Sequence, residues 1–162
     1  MESSSPRQRI DLSHLGRIAQ HLPDGTDLTL ITLKGHLLVE ELLDTIIESH
    51  CKDKTVLPGI EISFFVKLKL AAALTGRDEL SFAWTMGEKL NALRNALAHK
   101  LEHPLAQKRL DAFLALFRNP ELEIASTGDK AKDLRHTIIF FLGCLMAIKS
   151  GPPSLAGLAI DA

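Results

Sequence analysis

Apolar residues recur along most of this chain every three or four positions, the repeat that lines one face of an α-helix, and polar or Pro/Gly-containing stretches separate the runs. The pattern predicts an all-α protein. A first short helix is expected from about Asp11 to His21, stopped by Leu22-Pro23-Asp24-Gly25. Thr26 or Asp27 then caps a long helix to about His50, which distributes Leu30, Leu33, Leu37, Leu38, Leu42 and Ile46 between its faces. Lys52 to Pro58 reads as a polar loop, and Glu61 to Leu74 as a third helix ended by Gly76. Within it Phe64-Phe65-Val66 could alone pass for a strand, but the alanine-rich continuation argues for helix. After Arg77-Asp78 a short helical turn leads to Trp84. Thr85-Met86-Gly87-Glu88 then matches a capping box opening a separate helix, which His103-Pro104 stops or kinks. Pro104 begins another helix, Leu105 to Arg118, with Leu110, Phe113, Leu114 and Phe117 at core spacing and Asn119-Pro120 closing it. A connecting loop from Glu121 to Gly128 precedes a last long helix, started by Asp129 and running to about Lys149.

These segments assemble most simply into one bundle of about five principal helices. The expected organisation is a disordered lead-in at 1–8, a single helical domain at 9–151 and a tail at 152–162. A chain of 162 residues with 46% hydrophobic content is enough for one sizeable core. Its most apolar run, Thr137 to Ile148, falls well short of the roughly 20 residues that span a bilayer and is expected to be a central core helix. No membrane partner is expected, and residues 1–7 lack the apolar stretch of a signal peptide, which predicts a cytoplasmic protein. The net charge of -1 excludes a globally basic nucleic-acid binder, so contact with RNA would have to use a local patch. Cys51 and Cys144 are too few and too far apart for a disulfide framework or a metal site and read as reduced core thiols. There is no glycine-rich phosphate loop, serine-nucleophile elbow or Cys/His cluster, and neither a cofactor nor a metal is expected.

The chemistry concentrates between Glu88 and Glu102. At about 100° per residue, Glu88, Asn91, Asn95, His99 and Glu102 form one polar stripe, opposite Leu90, Leu93, Leu97 and Leu101. Arg94 sits on the border, where a guanidinium can lie over apolar neighbours and still aim its charge at whatever the stripe meets. Glu88 and Glu102 would repel phosphate unless other helices answer them, with Lys34, Lys67, Lys69 and Arg77 as candidates. His36 and Glu40, at i and i+4 on the second helix, offer a metal edge with no third ligand and read better as a supporting pair for the Arg94 site. Lys67, among Phe64, Phe65 and Leu68, is expected to snorkel from a packed face rather than pair with an acid. Trp84, Phe113, Phe117, Phe140 and Phe141 read as core, and His136 as helix surface.

Arg94-Asn95-x-x-x-His99 resembles the signature of the HEPN superfamily, an arginine with a polar neighbour and a histidine a short distance on. The fuller string Leu90-Asn91-x-Leu93-Arg94-Asn95-x-Leu97-Ala98-His99 is similar to bacterial HEPN-like families, including mannitol-repressor relatives. Lys34-Gly35-His36-Leu37-Leu38-Val39-Glu40 and Ile62-Ser63-Phe64-Phe65-x-Lys67 resemble their preceding helices, so the likeness covers roughly Lys34 to Glu102. The resemblance implies a HEPN-like helical bundle and, in members with an intact motif, a metal-independent endoribonuclease of stress, defence or toxin systems. His99 would then move protons, Arg94 would stabilise charge on phosphate oxygens, and Asn95 would orient either group. His36, Glu40, Asn91 and Lys67 are the candidate supporting or substrate-binding residues. About 140° separates the directions of Arg94 and His99, so one helix makes a poor pocket; the resemblance implies a homodimer with a composite cleft. RNA and a protein antitoxin or regulator are the implied partners. Position 101 is Leu and the chain contains no Tyr, so silencing by tyrosine nucleotidylation is unavailable. The alternative is a non-catalytic regulatory module of the mannitol-repressor kind, whose polar stripe meets a protein.

Overall fold

The computed structural model describes residues 12–76, 80–99, 104–118 and 126–149, excepting the side chains of residues 12–14 and 99. Six α-helices and no strand occur among them: α1 Leu12–Ala19, α2 Leu28–His50, α3 Phe64–Thr75, α4 Ser81–His99, α5 Pro104–Ala115 and α6 Lys130–Lys149. The all-α bundle is therefore present, with α1 as its short member. The expected lead-in at 1–8, the tail at 152–162, Arg77, and Leu101 with Glu102 lie outside the described residues.

Several helix ends follow from local chemistry. Asp27 caps α2 by accepting from the Leu30 amide at 3.0 Å, and Asp129 caps α6 by accepting from Ala131 and Lys132 at 2.9 and 3.2 Å. Gly76 closes α3 with φ of 56°, the left-handed conformation that a side chain disfavours. A 3-10 turn, Lys54–Val56, interrupts the loop after α2.

Three boundaries differ from expectation. Helix α3 starts at Phe64 rather than Glu61, because the Ser63 hydroxyl takes the Val66 amide at 3.4 Å and ends the extended chain there. Helix α5 stops at Ala115, since the Leu116 and Phe117 amides bond to carbonyls three residues back, at 3.2 Å each, and tighten the chain out of the helix. The largest correction is α4, one continuous helix from Ser81 rather than a turn followed by a capped helix at Thr85. Its buried register Ala83, Met86, Leu90, Leu93 runs straight through the apparent capping box, and Gly87 lies where α3 packs. A Cβ at Gly87 would meet Leu68, whose Cδ2 would be 2.9 Å away and which is itself fully buried.

The core is centred on α2 against α6. Ile31, Leu43 and Ile46 meet Leu134, Ile138 and Phe141, joined by Leu68, Leu90, Leu93 and Phe113 from the other helices. Arg135 donates to the carbonyls of Pro23 and Gly25 at 3.1 and 2.6 Å, fastening the α1–α2 turn to α6. Phe113 and Phe141 are fully buried, whereas Trp84, Phe117 and Phe140 are only partly so; Phe140 stacks on Phe82 and packs against Phe117 as a satellite cluster. His136 is exposed. Cys144 is a core thiol, its pKa pushed up to about 11 by burial, but Cys51 is only half-buried; neither is disulfide-bonded. No described helix is long and apolar enough to cross a membrane.

Candidate functional site

The helices meet so as to leave a polar recess at the start of α3. Phe64 lies beside His36, and Lys67 beside Glu40 and Asp44, so α3 runs in the same direction as α2 and begins level with the middle of it. Helix α4 returns antiparallel, with Glu88 paired to Lys69 and Asn91 bonded to His36. Helix α3 begins at Phe64, beside His36 of α2, where Asn91 of α4 also meets His36. A cleft of about 320 Å³ opens there, lined by His36 and Glu40 of α2, Ser63, Phe64 and Phe65 at the start of α3, and Asn91, Arg94 and Asn95 of α4.

His36 forms the inner wall. It is 7% exposed, stacks on Phe64 with ring centroids 3.9 Å apart, and donates from Nε2 to Asn91 Oδ1 at 3.2 Å. That bond leaves Nδ1 as the acceptor of a neutral ring. Burial holds the His36 pKa below the ordinary 6.5, outweighing the Asn91 bond and the Glu40 charge, which raise it, while the Arg94 charge adds to the lowering. At neutral pH the ring is uncharged.

Arg94 is half-buried and donates to Asn95 Oδ1 at 3.2 Å; no carboxylate pairs with it among the described residues. Of a guanidinium's five donors one is used there, and among the described residues the rest have no fixed partner and can meet an incoming oxyanion. Glu40, the one carboxylate of the lining, is engaged elsewhere: Lys67 Nζ sits 3.0 Å from it and 2.8 Å from Asp44. Lys67 is thus an ion-paired residue and not a snorkelling one. Burial pulls its pKa down, but hydrogen bonds and charge from Asp44 and Glu40 outweigh that and leave it raised. Lys67 and Lys69 are both occupied by acids and bring no spare charge to the cleft, and Lys34 is not among the lining residues. Among the described residues, Arg94 is the one cationic side chain of the lining.

The structure therefore brings together Arg94, Asn95, Asn91, His36 and Glu40 of the residues singled out from sequence, and sets Lys67 behind them. His99 belongs to α4 one turn beyond Asn95, and its side chain lies outside the described residues. His36 and Glu40 find no third metal-ligating side chain to complete a cluster among the described residues. Phe64 and Phe65, as parts of the site, were not foreseen. The available signal was their adjacency: consecutive helix positions point about 100° apart, so the two rings cannot share one face.

A larger recess, about 490 Å³, lies between the start of α2, the end of α4 and α5. Thr29, Thr32, Leu93, Leu97, Gln107 and Leu110 are among its lining, which holds no ionisable side chain among the described residues. The smaller cleft is the candidate site, because its lining includes a histidine, a glutamate and an arginine. Comparison of the chain with family models, curated proteins and solved structures yields no match.

Proposed function

We propose that the chain is a HEPN-type ribonuclease domain that binds an RNA phosphodiester in the Arg94 cleft and cleaves it without a metal. The observation that carries this reading is the open recess in which Arg94, free of any carboxylate partner among the described residues, stands beside two amides and a neutral imidazole. A phosphodiester suits such an arrangement, with a planar fork for its oxygens and amides for its ribose and base edges, while the one carboxylate of the lining, Glu40, is held by Lys67. In the proposed reaction the ribose 2′-OH gives its proton to His99, O2′ bonds to phosphorus, and the P–O5′ bond breaks as O5′ takes a proton from the His99 imidazolium, which returns the imidazole to its starting state. The products carry a 2′,3′-cyclic phosphate and a 5′-OH. Arg94 answers the charge that gathers on the non-bridging oxygens.

The active form proposed is a homodimer. Leu30, Leu33 and Leu37 stay 43%, 37% and 52% exposed along the outer face of α2, one step around the helix from His36 and Glu40. An apolar stripe in that place supports a two-fold contact that would set two Arg94 clefts side by side.

The test is cleavage of end-labelled single-stranded RNA in EDTA by wild type, Arg94→Ala and His99→Ala. Wild type is expected to leave cyclic-phosphate ends, and each variant to lose about 100-fold or more in rate, the scale of a lost proton-transfer or charge-stabilising group. Cleavage that survives both substitutions removes this active site. A wild type that binds RNA or a protein partner but never cleaves points to the regulatory module instead.

A further inference from the structure

We infer that the cleft selects an unpaired nucleotide, with the base stacked on Phe65 and the adjoining phosphate on Arg94. This rests on the RNA reading of the cleft and adds the side chain that holds the base. The start of α3 places two aromatic rings in opposite situations. Phe64 is buried against His36, whereas Phe65 is 47% exposed at the mouth of the same cleft. The Phe65 ring is also held in place: the Lys69 ammonium lies 5.3 Å from its centroid, and Lys69 is tethered in turn to Glu88 on α4. A ring fixed by a cation at one side and left accessible beside a guanidinium has the makings of a stacking platform, because every base presents a π-face whatever its sequence.

The size of the recess narrows the ligand further. A volume of about 320 Å³ is at the lower end of small-molecule sites and suits one nucleotide. In an A-form duplex the bases are already stacked on one another, and recognition proceeds across a wide, shallow groove rather than by insertion into a concave site. Only a base splayed out of a single strand reaches Phe65 while its phosphate reaches Arg94. Asn91 and Asn95 line the same cleft and offer amide groups to the base or ribose.

The experiment measures binding of the full chain to a fluorescent 2′-O-methyl oligonucleotide, which lacks the attacking hydroxyl, as a single strand and as a duplex. The single strand is expected to bind at least about tenfold tighter than the duplex, and Phe65→Ala to weaken it by about five- to hundredfold, the range of one lost base–aromatic stack. Phe65→Trp should retain the affinity and Phe65→Leu should not, since leucine keeps the apolar surface without the π-face. Phe65 is exposed, so these variants are expected to melt with wild type. If Phe65→Ala and Phe65→Leu bind as wild type does while Arg94→Ala loses binding, the stacking inference is wrong and the phosphate site stands. If Arg94→Ala also binds normally, or wild type binds neither oligonucleotide, the RNA reading falls and this inference with it.

Discussion

His36 shows how a residue's role emerges only from its neighbours. In sequence it is a histidine four residues before a glutamate; in the fold it is bonded to Asn91, 55 positions away, and stacked on Phe64. Burial lowers its pKa, so between 6.5 and the lowered value the unfolded chain binds a proton that the folded chain refuses. Stability contributed by the neutral ring is complete above about pH 6.5 and declines as the pH falls. Urea unfolding at pH 7.5 and 5.5 should therefore show a loss of stability in wild type that is smaller in His36→Gln; an equal loss in both would remove His36 as its source. Arg94 and Asn95 were legible because their spacing lies within one helix. The pairing of Lys67 was not legible for the opposite reason: its partners Glu40 and Asp44 belong to another helix, and no local pattern announces a charge pair formed across a packing interface.

At the level of elements, α2 and α6 approach so closely at Gly35 that no side chain fits. A Cβ there would stand 2.6 Å from Cδ1 of Ile138 and 3.0 Å from its Cγ2. Ile138 is β-branched and fully buried, so it has few rotamers in which to yield. Gly35→Ala would gain about 1 kcal/mol of helix propensity, yet overpacking of this kind costs about 1–3 kcal/mol, so a net loss of stability is expected. Chemical denaturation checks this, and an unchanged or raised midpoint would show that the helices can separate at little cost. Gly87 holds the corresponding place between α3 and α4, and it explains the error in predicting α4. Glycine beside Thr85 and Glu88 looks like a helix start when only local propensity is considered, whereas here it permits close packing inside a helix. The caps at Asp27, Asp129 and Gly76 were legible because capping is satisfied within four residues.

Across the whole molecule, the apolar residues that remain on the outside bear on assembly. Burial of the α2 stripe in a two-fold contact predicts the mass of a dimer by light scattering, and Leu37→Glu should shift it to that of a monomer without loss of helicity. A monomeric wild type at tens of micromolar would exclude that contact. The alternation of apolar and polar positions determined by itself that the chain is helical, roughly where most helices lie, and which faces of them turn inward, because helix periodicity and capping act over one or two turns. The tertiary structure alone decided that α3 begins level with His36 and leaves a cleft there, that Glu40 shares Lys67 with Asp44 and leaves Arg94 with no carboxylate partner among the described residues, and that Phe65 lines the same cleft. Those outcomes depend on contacts between residues far apart in the chain, and their energies arise only when the packed helices exclude water from between them.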